Sequence, residues 1–184
     1  MQKILDCFRE HPVVAAVGDD KWAAALQSPA KVIFYMSANL LTIEQRVRQA
    51  HAANKYIMVH LDLAEGIGRD RTGIRYLVQC GVDGILSTKG QLIRFAREQN
   101  LFTVQRFFAV DSGGADSIGD LMRNANPHIL EIMPGVVTKV IRRYSDGGVP
   151  VIAGGLIQTA LEVQEALEAG AKAVSTGQPA LWGL

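Results

Sequence analysis

Short apolar segments alternate along this chain with longer segments in which apolar residues recur every three or four positions. The short segments predict buried β-strands, and the longer ones predict helices with one apolar face. Strands that alternate with helices favour parallel β/α units over hairpins. The eight predicted strands are Val13–Val17, Val32–Met36, Ile57–Leu61, Gly84–Ser87, Phe102–Phe107, Ile129–Met133, Val151–Ala153 and Ala173–Ser175.

The number and spacing of these units favour a closed barrel. Each strand begins roughly 18 to 28 residues after the last, which is room for one strand and one helix. Residues 81–88 and 170–176 also resemble each other and end the fourth and eighth units, as in a duplicated half barrel. We therefore predict a compact (β/α)₈ TIM barrel as a single domain over residues 1–184, with a short final helix. A doubly wound open sheet is the alternative.

Composition narrows the class of protein only a little. The chain is 48% hydrophobic, which is enough for one core, and its 19 basic and 18 acidic residues leave a formal net charge of +1. Such a charge does not by itself attract nucleic acid. No apolar segment is long enough for a membrane span, and the charged N-terminus does not resemble a signal peptide, so we expect a cytoplasmic protein. Cys7 and Cys80 lack the spacing of a metal or redox pair.

Two glycine loops near the C-terminus indicate a phosphate ligand. Gly154-Gly155 follows the seventh predicted strand, and Ser175-Thr176-Gly177 ends the eighth. Glycines let backbone N–H groups approach an anion closely, and these are the loops where TIM barrels usually bind phosphate. A simple tight turn is the alternative for Gly-Gly alone. The predicted phosphate contacts are Gly154, Gly155, Ser175, Thr176 and Gly177.

Polar residues concentrate at the C-terminal ends of the other predicted strands, where TIM barrels place their functional groups. His60, Asp62 and Glu131 are candidates to bind the hydroxyls of a polyol, with His60 and Asp62 on one face of a strand. Lys89, Arg106 and Lys139 are candidates to offset the charge of its phosphate. A structural ion pair of Glu131 with Arg106 or Lys89, and a structural role for His60, are the alternatives. We predict no metal site, although Asp62 and Glu65 leave a weak Mg²⁺ site open.

Several motifs make the chain similar to one known family from about Val13 to the C-terminus. They are Val59–Leu63, Gly66-Ile67, Asp70–Ile74, Asp83–Thr88, Gln105-Arg106, Asp111-Ser112, Glu131–Gly135, Ile152–Ile157, Ala173–Thr176 and Leu181-Trp182. Together they resemble the glycerol-3-phosphate-responsive antiterminator family. Gly177 stands where the family pattern leads us to expect a second serine, so one hydroxyl is lost while the backbone donors remain.

The resemblance implies a barrel without enzymatic activity that binds glycerol 3-phosphate, needs no cofactor, and acts on the leader mRNA of glycerol operons. Local basic residues would then bind the RNA, although taken alone they are typical of a solvated surface. We expect the loops Glu65–Asp70 and Asp111–Asp116 to close over the ligand, and a homo-oligomer is possible. The candidate RNA contacts are Arg69, Arg71, Arg75, Arg142 and Arg143, with Lys139 nearby.

Two other classes of function compete with an RNA-binding regulator, because one scaffold hosts many chemistries. A phosphosugar-type isomerase, aldolase or synthase could use His60, Asp62 and Glu131. A barrel that binds a metabolite and acts through a protein partner is the third possibility. Against an enzyme, no lysine lies within a predicted strand to form a Schiff base.

Overall fold

The computed structural model describes residues 2–109, 125–145 and 147–184, and its eight described strands form one closed parallel barrel. The first strand closes the barrel, because it pairs on one side with the second strand, where Ala15 lies opposite Ile33, and on the other side with the last, where Ala15 lies opposite Thr176. The strands are β1 (Val13–Val17), β2 (Val32–Tyr35), β3 (Tyr56–His60), β4 (Gly84–Ser87), β5 (Phe102–Phe108), β6 (Ile129–Met133), β7 (Val151–Gly154) and β8 (Ala173–Thr176). The predicted TIM barrel is confirmed, and the open sheet is wrong.

Outside the barrel, helices connect most of the consecutive strands in the described residues, and one further helix precedes β1. The described α-helices are α1 (Gln2–Glu10), α2 (Trp22–Gln27), α3 (Ile43–Ala52), α4 (Arg71–Gln79), α5 (Gly90–Glu98), α6 (Thr138–Ser145) and α7 (Ala160–Glu168). The predicted short final helix is a 3₁₀ turn at Pro179–Leu181. A helix predicted around Ile118–Met122 lies outside the described residues, as does the loop Asp111–Asp116 with Asp111 and Ser112.

Two apolar clusters explain why the strands are apolar throughout. Successive strand residues point inward and outward in turn, and both sides are covered in a barrel, so neither can be polar without a partner. The outer cluster packs the sheet against the helices. The inner one fills the barrel, and α1 adds Ile4 and Phe8 to it, which covers the N-terminal end. Inner residues from the strands include Val14, Phe34, Met58, Leu86, Val104, Ile129 and Ile152.

Because the N-terminal end is covered, polar groups can approach the barrel interior from the C-terminal ends of the strands. His60, Arg106, Glu131 and Ser175 are buried at this end. Among the described residues, no helix is both long enough and apolar enough to span a lipid bilayer.

Candidate functional site

A small cavity lies at the C-terminal end of the barrel, over the ends of β7 and β8. Its volume is about 140 Å³, well below the roughly 300–1,000 Å³ of pockets that hold drug-sized ligands. Such a space has the size of a small metabolite. The cavity is lined by Ala16, Met36, Arg106, Met133, Gly155, Leu156, Ile157, Ser175, Thr176 and Gly177. It therefore brings together four of the five predicted phosphate contacts and one predicted cation, Arg106.

The loop after β7 has a backbone that requires glycine at Gly155. Its φ is +74°, and the next residue, Leu156, has φ +61° with 66% of its surface exposed. A side chain at Gly155 would be strained by this conformation, and its Cβ would lie 2.6 Å from Cε of Met133. The loop thus presents backbone to the cavity, which is what an anion site needs.

Gly154 has a different role from the one predicted. A Cβ at this position would lie 2.5 Å from Oε1 of Glu131 and 2.6 Å from Oγ of Ser175. Gly154 therefore makes room for a hydrogen bond between those two side chains inside the barrel, and it does not line the cavity.

The loop after β8 is held by side chains from several parts of the chain. The Thr176 hydroxyl donates to the Ile157 carbonyl at 2.7 Å, so the predicted phosphate contact already binds backbone. Nε1 of Trp182 donates to the Thr176 carbonyl at 2.9 Å, and Nζ of Lys21 donates to the Gly177 carbonyl at 2.8 Å. Sequence reasoning missed Lys21, although its position just after β1 places it beside β8 once the barrel is known to be closed.

Glu131 and Arg106 form an ion pair within the barrel. Nε of Arg106 donates to one carboxylate oxygen of Glu131 at 2.6 Å, and the Ser175 hydroxyl donates to the other at 2.6 Å. The Glu131 side chain is 0% exposed and that of Arg106 is 7% exposed. Arg106 and Ser175 line the cavity, whereas Glu131 lies behind them. This geometry matches the structural ion pair more closely than a direct contact of Glu131 with ligand hydroxyls.

His60 is buried at the end of β3 and keeps an unused polar atom. The residue is 4% exposed, and its Nδ1 has no hydrogen-bond partner among the described residues. Burial and then the nearby Arg106 charge lower the pKa of the imidazole, which favours the neutral ring. A buried nitrogen without a partner is costly, and a bound hydroxyl or water would satisfy it.

Asp62 does not share a strand face with His60, contrary to our expectation. β3 ends at His60, and Asp62 lies in the 3₁₀ turn Leu61–Leu63 that follows. Its carboxylate accepts hydrogen bonds from the Ser87 hydroxyl at 2.6 Å and from the Thr88 amide at 2.7 Å. Burial opposes ionisation of Asp62, but these bonds outweigh it and hold the pKa of the carboxyl below its usual range. Asp62 thus joins the ends of β3 and β4.

The remaining predicted cations lie outside the cavity lining. Lys89 and Lys139 are exposed at the starts of α5 and α6.

The candidate RNA contacts form two groups, one at α4 and one on α6. Helix α4 follows β3 and α6 follows β6, so the two groups are separated by three strands around the barrel. In the first group, Arg71 pairs with Glu98 at 2.6 Å, so its charge is partly offset. The first group is Arg69, Arg71 and Arg75, and the second is Arg142 and Arg143, all exposed.

Backbone hydrogen bonds fix the start of the predicted loop Glu65–Asp70. The Glu65 amide donates to the Ala38 carbonyl at 2.8 Å, and the Glu65 carbonyl accepts from the Leu40 amide at 3.0 Å. Asp70 caps α4 by accepting from the Gly73 amide at 2.9 Å.

Within the described part of the chain, no group of three or more His, Cys, Asp or Glu side chains could hold a metal ion.

The class of protein that the fold defines is a TIM barrel, here with a small cavity between the loops after β7 and β8 and a buried arginine at its side, a position where TIM barrels commonly bind anions. Comparison with known proteins agrees with this class and narrows it. Residues 13–182 match the family described as "Glycerol-3-phosphate responsive antiterminator". The chain belongs to the glycerol-3-phosphate responsive antiterminator family.

The chain is also similar to individual proteins, among them a solved structure with an antiterminator name. The "Uncharacterized protein YgcP" of Escherichia coli (strain K12) is 34% identical over 98% of this chain and 96% of its own length. The crystal structure of a glycerol uptake operon antiterminator regulatory protein from Listeria monocytogenes is 28% identical, with a TM-score of 0.87, over 92% of this chain and 94% of that one.

A glycerol uptake operon antiterminator-related protein from Thermotoga maritima is also 28% identical, with a TM-score of 0.84, over 94% of this chain and 98% of that one. More distant barrels include an aldolase that is 10% identical with a TM-score of 0.72, covering 91% of this chain and 90% of that one. This last likeness shows the fold alone.

Proposed function

We propose that this protein binds glycerol 3-phosphate in the cavity at the C-terminal end of the barrel and regulates transcription of glycerol-utilisation genes through their leader mRNA. One observation carries the proposal: the two loops of a phosphate site and a buried cation line one cavity of metabolite size. The family supplies the class of effector and the regulatory role.

The phosphate would lie against the loops after β7 and β8, at Gly155 and Gly177. Both residues lack a side chain that would keep the anion away from backbone N–H groups, and Arg106 lines the same space. The glycerol end would point toward the barrel axis, where Nδ1 of His60 has no partner among the described residues. A neutral imidazole can accept a hydrogen bond from a hydroxyl or donate one, according to its tautomer.

We propose that the protein is a regulator that turns over no substrate and uses no cofactor. None of the eight described strands contains a lysine, so they hold no amine for a Schiff base of the aldolase type. Asp62, which could have served as a general base, is engaged by Ser87 and Thr88. Since the proposed partner is a nascent transcript, the proposed location is the cytoplasm.

Isothermal titration calorimetry with glycerol 3-phosphate, glycerol and inorganic phosphate tests the ligand. We expect glycerol 3-phosphate to bind most tightly, because it alone combines a phosphate for the two glycine loops with hydroxyls for polar groups beyond the cavity lining, such as His60. Tighter binding of glycerol or of inorganic phosphate would refute this assignment of the cavity.

Filter binding with the leader transcript of the host's own glycerol operon tests the regulatory role. Saturating glycerol 3-phosphate should raise the affinity for this RNA and leave that for a scrambled transcript unchanged. Equal affinity with and without ligand would refute the regulation of RNA binding. Steady consumption of glycerol 3-phosphate would instead restore the enzymatic alternative.

A further inference from the structure

We propose that Lys21, in the segment after β1, supplies the positive charge that binds the ligand's phosphate and makes the site prefer a phosphorylated polyol over a free one. The inference rests on the proposed function, since it names the residue that recognises the phosphate in that cavity. Lys21 was not among the cations that the sequence indicated.

The charges around the cavity explain why a second cation is needed. Arg106 lines the cavity, but its Nε binds the buried carboxylate of Glu131 at 2.6 Å, so the pair has no net charge. A phosphate monoester carries a charge of about −1.5 to −2 at pH 7. Arg106 can therefore orient the phosphate by hydrogen bonds, but its charge is already offset within the barrel.

Lys21 has no such partner within the described part of the chain. Its ammonium makes no ion pair with a described carboxylate, and its hydrogen bond there is to the Gly177 carbonyl at 2.8 Å. The neighbouring Asp19 is committed elsewhere, because it accepts from Oη of Tyr35 and Nη2 of Arg46, both at 2.7 Å. The ammonium thus forms no ion pair with Asp19 or with any other described carboxylate, and two of its N–H donors are left.

The closed barrel places this charge next to the predicted phosphate site: Lys21 is not itself a lining residue, but it contacts one. β1 pairs with β8, so the segment after β1 lies beside the loop after β8. Gly177 lines the cavity, and Nζ of Lys21 is 2.8 Å from its carbonyl oxygen. Lys21 is half-buried, so water screens its charge less than that of the exposed Lys89 and Lys139.

Lys21 could also act only by holding Gly177 in place, so the experiment must separate charge from anchoring. We would titrate glycerol 3-phosphate and, separately, inorganic phosphate into the wild type, Lys21→Gln, Lys21→Arg and Lys3→Gln at two salt concentrations. Lys21→Gln keeps a donor for the Gly177 carbonyl and removes the charge. Lys3 is exposed on α1 at the opposite end of the barrel, which makes Lys3→Gln the matched control.

We expect Lys21→Gln to weaken glycerol 3-phosphate binding about tenfold to a hundredfold and to reduce its salt dependence. Lys21→Arg should retain most of the affinity, and Lys3→Gln should change it less than twofold. Wild-type affinity in Lys21→Gln would overturn the proposal. So would an equal loss in Lys21→Arg. Lys89→Gln and Lys139→Gln, titrated in the same way, should each lose less affinity than Lys21→Gln, and a larger loss in either would also overturn the proposal.

A second measurement works on the wild-type protein and does not depend on the variants folding. Acetylation of lysines by acetic anhydride, followed by mass spectrometry, should show that saturating glycerol 3-phosphate protects Lys21 and not Lys3. Equal labelling of Lys21 with and without ligand would count against the proposal. If the wild type does not bind glycerol 3-phosphate at all, the proposed function fails, and the inorganic phosphate series alone decides whether Lys21 binds an anion.

Discussion

The replacement Glu131→Gln tests whether this residue stabilises the barrel or binds the ligand. Glutamine has nearly the same shape, but it removes the charge that offsets Arg106 and leaves that guanidinium buried with a weaker partner. The Arg106 side chain is 7% exposed and the carboxylate is 0% exposed, so water cannot replace the lost interaction. Breaking a buried ion pair on one side costs about 3–5 kcal/mol. That is at least about a fifth of the roughly 5–15 kcal/mol by which most domains are stable.

Urea denaturation followed by circular dichroism measures this loss, and calorimetric titration of glycerol 3-phosphate is done on the same samples. Glu10→Gln, at an exposed position on α1, is the matched control and should change the unfolding free energy by no more than about 0.5 kcal/mol. A double replacement of Arg106 and Glu131 by apolar residues should recover much of the stability, because it leaves no unpaired charge. It should also weaken ligand binding, since Arg106 lines the cavity.

One result would refute this reasoning. If Glu131→Gln is as stable as the wild type and has lost only its affinity for glycerol 3-phosphate, then Glu131 binds ligand hydroxyls directly. The carboxylate would then have to reach the cavity, in spite of the hydrogen bonds from Arg106 and Ser175 that occupy both of its oxygens.

Three further predictions concern other parts of the molecule. Gly155→Val should weaken glycerol 3-phosphate binding at least tenfold, because φ is +74° and a β-branched side chain would enter the loop. Gly183→Val, whose Cβ would meet only ordinary contacts, is the control for calorimetry, and equal affinities would contradict the loop's role. Burial, Arg97 and the N-terminus lower the pKa of His128 to about 4. Between about pH 6.5 and 4 the unfolded chain therefore binds more protons than the folded one. Neutral His128 is compatible with the fold above this range, and the free energy of unfolding falls by about 1–3 kcal/mol as the pH falls through it. Urea denaturation at pH 7 and pH 4.5 should show a smaller acid loss in His128→Asn than in the wild type, and identical losses would count against it. Arg75 and Arg142 belong to separate basic groups. If one group contacts the RNA, replacing its arginine by glutamine should reduce the slope of log affinity for leader RNA against log salt concentration by about one for each RNA phosphate that is no longer neutralised. Unchanged slopes in both variants would place the RNA elsewhere.

The sequence was sufficient to predict the strands because the barrel buries both of their faces. In such a strand every position is apolar unless it has a partner, so the strands stand out as short apolar segments between amphipathic helices. β1, β4 and β6 have the predicted bounds, and the others differ by one residue at one or both ends. The special backbone of the loop after β7 was also predictable, since Gly155 has the positive φ that favours glycine, whereas phosphate binding there stays a prediction.

The tertiary structure decided which polar side chains line the cavity and which bind one another. Arg106 and Glu131 pair because β5 and β6 align them in register, a property that the separate strand sequences do not contain. Asp62 turns toward β4 because β3 ends two residues earlier and the chain continues in a 3₁₀ turn. Lys21 and Gly177 are 156 positions apart in the chain, and they meet because closure of the barrel pairs the first strand with the last. Local periodicity reports which residues are buried, whereas the partners of buried polar groups depend on register and closure between distant strands.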